Sequence, residues 1–321
     1  MYMSEKIMRQ IILFISFFLA LGISAKKINR QAVVERNNPH VISMDSLSSL
    51  SVGNGGFAFT VDVTGLQSFP KAYSRGVPLG TMSDWGWHSF ANPKKYKVEE
   101  SWKYYDFGRG RKELYAVQIK DDIRKKVAGD WYRANPHRLH LGTIGLSLGN
   151  DPRQVKRIDQ TLNMWKGTIS SSFECKGKKY SVVTVCDPIL DMVASRITSN
   201  EKFAIDFRYP YPTGGHSDDA CNWNKDNLHS TTLVSTTQNT AILRRNVGET
   251  VYFVMITWQG KARIKQVAKN HYQLQSASKE LSFTCEYSEK ESCIHKTFAD
   301  VQQAAAVYWK SYWQKGAMVD F

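Results

Sequence analysis

The stretch "GFAFTVDV" (56–63) puts Phe57, Phe59, Val61 and Val63 on alternate residues, so an extended chain turns all four to one side. A helix would scatter them around its axis. The same period recurs in "KFAIDFRY" (202–209), where Phe203, Ile205, Phe207 and Tyr209 share a face. "TVYFVMITW" (250–258) is apolar on both faces, as a central buried strand is. Further strands are expected at 113–119, 139–148, 167–175, 179–186, 192–198 and 281–287. "CKGKKY" (175–180) and "DFGRGRKE" (106–113) read as hairpin turns. Strands joined by short turns, with almost no helical spacing between them, predict an all-β fold: a large antiparallel β-sandwich over residues 26–295.

One segment breaks this pattern. "TFADVQQAAAVYWKSYWQKGA" (297–317) sets Phe298, Val301, Ala305, Tyr308, Trp309, Tyr312 and Trp313 at helical spacing, with Gly316 as a stop. The spacing predicts a C-terminal amphipathic helix within 296–321. So much aromatic area on one face should not stay in water. It folds back onto the sandwich or docks on another domain, with Trp309, Tyr312 and Trp313 as the expected docking residues.

The chain has 321 residues, 42% of them hydrophobic and 22% charged, which is a globular composition large enough for a substantial core. The formal net charge is +14, but the basic residues come in twos and threes along the whole length. A nucleic-acid reader gathers its charge into a stripe or tail, so no nucleic-acid partner is expected. An acidic glycan or lipid headgroups suit the charge equally well. At the N-terminus, Lys6 and Arg9 precede the apolar run 11–25, which ends in small residues and is followed by Lys26 and Lys27. The run is short for a stable membrane span and reads as a secretory signal in residues 1–25, cleaved near Ala25. An exported protein of the bacterial periplasm or cell surface is the expectation. The five cysteines show no CxxC spacing. Cys175 with Cys186, or Cys285 with Cys293, could pair in an oxidising compartment.

"GTMSDWGWHSFANP" (80–93) concentrates Asp84, Trp85, Trp87, His88 and Phe90 in a loop-like stretch. Rings flanked by Asp, His and Asn suit sugar recognition, because rings take the apolar sugar faces and polar groups take the hydroxyls. Asp84, Trp85, Trp87 and His88 are therefore the substrate-binding candidates, with core packing as the rival. No nucleophile or second carboxylate accompanies Asp84 and His88 for acid–base work, so no catalytic residue is assigned. His216, Asp218 and Asp219 in "GGHSDDAC" lack further ligands and read as a solvated loop, so no metal and no cofactor is implied. His137 and His140 read as structural. Gly53-Asn54-Gly55-Gly56 precedes a strand rather than a helix and reads as a tight turn, not a phosphate cradle.

Three pieces resemble a known architecture. These are residues 46–70, with their Gly-Asn-Gly turn before a core strand; residues 140–197, with "WKGTI" (165–169) and "DMVASR" (191–196); and "AVYWKSYWQKGAMVDF" (306–321). Together they resemble the N-terminal half of bacterial six-hairpin glycosidases related to glycoside hydrolase family 65. The resemblance implies a supersandwich similar to galactose mutarotase, followed by a linker helix and an (α/α)6 barrel. It places the barrel beyond Phe321 and the catalytic groups in the barrel. The expected role is that of a non-catalytic sandwich domain of an exported glycoside hydrolase, supporting the barrel and contributing to carbohydrate binding. The alternative is a freestanding carbohydrate-binding protein without catalysis.

Overall fold

The computed structural model describes residues 28–320 except 217, 292 and 293. The expected signal segment and Cys293 lie outside the described residues. A nine-stranded antiparallel sheet forms the spine. In spatial order it runs β1 (His40–Val41), β10 (Val155–Asn163), β11 (Thr168–Cys175), β12 (Lys178–Cys186), β13 (Met192–Ser199), β22 (Glu280–Ser288), β19 (Thr250–Gln259), β18 (Thr240–Val247) and β17 (His229–Thr236). A four-stranded sheet has the order β20 (Ala262–Ala268), β21 (His271–Ser276), β14 (Ala204–Arg208) and β9 (Thr143–Leu146). A three-stranded sheet joins β2 (Leu50–Gly53), β3 (Phe57–Val61) and β4 (Thr81–Ser83). Four short strands form two small ribbons: β5 (Trp87–His88) with β8 (His137–Arg138), and β15 (Tyr211–Pro212) with β16 (Cys221–Asn222). The expected all-β sandwich is what the chain forms.

One continuous core cluster draws on the large sheet and both smaller ones. Phe207 of β14 meets Phe283 of β22 edge-on at 5.9 Å, and Phe57 of β3 meets Tyr287 of β22 at the same centroid distance. Each such ring contributes about 1.5–3 kcal/mol through burial. Phe57, Phe59 and Val61 all point into this core, as their alternation requires. The turn before β3 is pinned by Asn54. Its Oδ1 accepts from the N–H groups of Gly56 and Phe57, and its Nδ2 donates to the carbonyls of Asp187 and Leu190. Gly55 takes φ +100° there, a value side-chain-bearing residues avoid.

The C-terminal helix, Phe298–Lys315, lies on the outer face of the spine. Phe298 and Val301 close over Val185, Met192 and Ala194 in a second, smaller cluster. Thr297 and Asp300 form a capping box at its start. Farther along, the Trp309 ring rests where a Cβ on Gly167 would lie 2.0 Å away, and Trp313 Nε1 donates to the Met164 carbonyl at 2.7 Å. Arg30, from the short helix Arg30–Glu35, holds the far end through the carbonyls of Trp313 and Gly316.

Several local expectations change. Cys175 and Cys186 sit on paired strands but at opposite ends, since Cys175 faces Lys178 while Cys186 faces Val193 on the next strand, and both thiols are free. The segment 113–119 does form a strand, β7 (Lys112–Ala116), yet it belongs to an exposed hairpin with β6 (Trp102–Asp106) rather than to the core. The helix Ile123–Arg133, capped by Asp122, is an addition the apolar spacing did not announce.

Candidate functional site

The loop 80–93 is held from both ends. β4 pairs with β3 in the core, and β5 pairs Trp87 with Arg138 and His88 with His137 on β8. Two of its four candidate side chains turn inward. Trp85 Nε1 donates to Asp191 Oδ2 at 2.7 Å, a carboxylate that also accepts a short hydrogen bond from the Ser83 hydroxyl, and its ring packs on Tyr252. His88 is buried; its Nδ1 meets Thr250 Oγ1 at 3.0 Å and its ring abuts His137 and Phe90 edge-on. Burial, and then the proximity of His137, hold its pKa below the ordinary histidine value, so the ring is neutral at physiological pH. His88 therefore props the loop, and Asp84 is not its partner.

The other two candidates face solvent. Trp87 is 45% exposed, and the Arg138 guanidinium lies 4.4 Å over its ring. Arg138 NH1 also donates to the carbonyls of Ser83 and Asp84, and its NH2 lies 3.5 Å from the Asp84 carboxylate. The result is a plate of ring, guanidinium and carboxylate on the outer edge of the sandwich. Chemically it offers a flat apolar face, N–H donors and an anionic acceptor, with no nucleophile among them. Arg138 escaped notice in the sequence because it lies fifty-one positions from Trp87 and only strand pairing joins them.

Trp309 and Trp313 are half-buried against their own sandwich, where with Val52, Phe57, Leu162 and Met164 they line a groove of about 400 Å³. Tyr312 meets both rings edge-on, at centroid distances of 5.4 and 5.2 Å, and is itself exposed. On the four-stranded sheet, a polar cleft of about 270 Å³ is lined by Asp206, Arg208 and His271. His271 Nε2 and Gln273 Nε2 each lie 2.9 Å from Asp206 Oδ1. Burial would raise the Asp206 carboxyl, but the hydrogen bonds from His271 and Gln273 outweigh it and hold the group below the usual carboxylate range. A signal for this cleft was present in "KFAIDFRY": the alternation that buries Ile205 and Phe207 turns Asp206 and Arg208 outward. In the loop after β15, Asp218 and Asp219 accept from the backbone N–H groups of Ala220 and Cys221. Among the described residues no group of three or more His, Cys, Asp or Glu side chains is arranged to hold a metal, and no helix is long and apolar enough to cross a membrane.

No family model matches the chain, and no curated protein matches it in sequence. Among solved structures it is similar to a protein described as a kojibiose phosphorylase from the human microbiome, at 9% identity and a TM-score of 0.46, covering 86% of this chain and 38% of that one. It is also similar to a bacterial glucoamylase complexed with acarbose, at 8% identity and a TM-score of 0.34, covering 50% and 28% of the two chains. A third, the 4-α-glucanotransferase of Thermococcus litoralis, aligns at 11% identity and a TM-score of 0.26, covering 81% and 41%. The chain spans well under half the length of each of these proteins.

Proposed function

We propose that this chain is the non-catalytic β-sandwich of an exported carbohydrate-active protein of the six-hairpin glycoside hydrolase type, and that it contributes a wall to sugar binding. The observation that carries the reading is the Trp87 plate. In a loop whose other large rings turn inward, Trp87 is left open with Arg138 stacked on one face and Asp84 beside it. A sugar needs a flat apolar face to lie on and polar groups at its rim, and the plate supplies both. Hydrolysis in a partner barrel is the parent reaction on this reading, with the outward side of the C-terminal helix, including Tyr312, facing that barrel.

The test is substitution of Trp87 by Ala, with binding to a panel of soluble oligosaccharides and polysaccharides followed by calorimetry. Because the ring is exposed, the expected result is binding weakened by about tenfold or more, with a Tm within about 2 °C of the parent. A lowered Tm with unchanged binding would make Trp87 a packing residue and remove the support for the reading.

A further inference from the structure

All fifteen residues of the β6–β7 hairpin, 102–116, are exposed, although Trp102, Tyr104, Tyr105, Phe107, Leu114 and Tyr115 are large and apolar. A lone two-stranded hairpin is marginal in water, and exposed apolar area of this extent marks a surface that binds something. The register sets Lys103 opposite Tyr115 and Tyr105 opposite Glu113, so one face carries Lys103, Tyr105, Phe107, Arg111, Glu113 and Tyr115, with Arg111 Nε 3.2 Å from the Glu113 carboxylate. The opposite face carries Trp102, Tyr104, Asp106, Lys112 and Leu114. On the first face cations sit over rings: Lys103 Nζ lies 5.6 Å from the Tyr105 centroid, and the Arg111 guanidinium 5.6 Å from that of Phe107. The same device recurs nearby, with Arg124 over Tyr96 at 4.7 Å and Arg138 over Trp87 at 4.4 Å. These four stacks all fall between residues 87 and 138. The hairpin carries four basic residues against two acidic ones, and the segment 94–133 carries twelve against seven.

We propose that the hairpin is a recognition arm for an anionic polysaccharide. The rings of the first face take the flat faces of successive sugars, and Lys103, Arg109 and Arg111 meet their carboxylate or sulfate groups. This rests on the reading of the chain as a carbohydrate binder and names the class of its ligand. A neutral glycan would leave the arm's excess of cations without countercharge. A second copy of the chain would bring two basic arms together. Insertion into a lipid surface would carry the tip, Gly108 to Arg111, into hydrocarbon first, and that is the most polar part of the arm. Single-stranded nucleic acid shares the ring-and-cation chemistry, but Asp106 and Glu113 sit among the rings. Those carboxylates accept hydrogen bonds from sugar hydroxyls, which a glycan presents on successive residues and a DNA backbone does not.

The test uses the chain from Lys26 onward, with polygalacturonate, dextran sulfate, neutral dextran and oligothymidylate as probes at one fixed salt concentration. One variant reverses charge, Arg109→Glu with Arg111→Glu. A second removes the rings of the first face and keeps every charge, Tyr105→Ser with Phe107→Ser and Tyr115→Ser. Both changes are on exposed side chains, and a Tm for each variant confirms folding. At least one of the two polyanionic glycans is expected to bind more tightly than neutral dextran, and each variant to lose about tenfold in affinity. A ring-free variant that binds like the parent overturns the proposal, because attraction then reflects net charge alone. Tighter binding of oligothymidylate than of either glycan overturns it in favour of nucleic acid. If Trp87→Ala abolishes glycan binding while both arm variants keep it, the arm fails and the Trp87 reading stands. If no glycan binds, both fall.

Discussion

At the scale of single residues, His140 shows how burial turns an ordinary side chain into a pH-dependent support. Its Nε2–H donates to the Leu79 carbonyl at 2.9 Å, and its Nδ1 accepts from the Gly142 N–H at 3.1 Å. Both bonds demand the neutral ring, since a proton on Nδ1 would oppose the Gly142 N–H. Burial pulls its pKa down to about 4, against a weaker upward pull from the Leu79 carbonyl. A histidine with a depressed folded pKa contributes stability that is fully present above its unfolded value near 6.5 and is lost as pH falls toward 4. Unfolding by urea should therefore show the parent losing about 3 kcal/mol through this one group between pH 7 and pH 4. His140→Gln keeps one donor and one acceptor but cannot titrate, so its stability should be flatter over that range by about the same amount. Equal pH slopes for the two proteins would exclude the idea. His229 adds a similar dependence, with its pKa pulled to about 4 by burial and then by Arg245. Arg245 also marks a limit of the sequence reading. It is one of a basic pair, yet it occupies the inward position of β18 beside Ala241, Leu243 and Val247. There its guanidinium donates to His229 and Thr231 and lies against the rings of Tyr209 and Tyr252. Alternation indicated the inward position, but nothing local revealed the partners that make it tolerable.

At the scale of elements, strands were legible where one face is plainly apolar, as in β3 and β14, or where both are, as in β19. They were obscure where burial is sparse. β10 reads "VKRIDQTLN" and buries only Val155 and Gln160, so its alternation has no hydrophobic contrast. The helix Ile123–Arg133 is dominated by charge and buries only Ala128 and Gly129, which leaves no apolar stripe to find. The C-terminal helix was legible from its spacing, but its seat was not, because that depends on what the other surface lacks. Gly167 provides it. With φ +63° and no Cβ, it admits the Trp309 ring where a methyl would overlap Cδ1. Gly177 is a suitable control: it has φ +77° in the β11–β12 turn and open space around it. Gly177→Ala should cost about 1 kcal/mol for the left-handed backbone alone. Gly167→Ala should cost that and about 1–2 kcal/mol more, with the tryptophan emission shifted to the red as the helix end lifts. Equal costs for the two substitutions would show that Trp309 is not seated on Gly167.

At the scale of the whole molecule, the sandwich and the segment 94–133 differ in what holds them. The sandwich has a continuous core and nine mutually hydrogen-bonded strands. The segment has almost no interior: within it only Ser101, Ala128 and Gly129 are buried. Its order comes from polar links, such as Arg124 to Glu100 through two hydrogen bonds of 2.6 and 3.0 Å, and the Val117 N–H to the Ser101 carbonyl at 2.7 Å. It is tied to the plate loop by Asn135, which accepts from the Phe90 N–H and donates to the Trp131 carbonyl. Exposed ion pairs hold weakly and salt screens them, so this segment should open at far lower free energy than the sandwich. Limited trypsin digestion should therefore cut first at Arg109, Arg111 or Lys112 in the hairpin tip. Raising salt should speed that cut as the Arg124–Glu100 link weakens. The nicked protein should still melt cooperatively within about 2 °C of the intact one, because none of the severed backbone belongs to the core. If the nick instead abolishes the cooperative transition, the segment is part of the folding unit of the sandwich, and an arm free to meet a ligand is the wrong description of it.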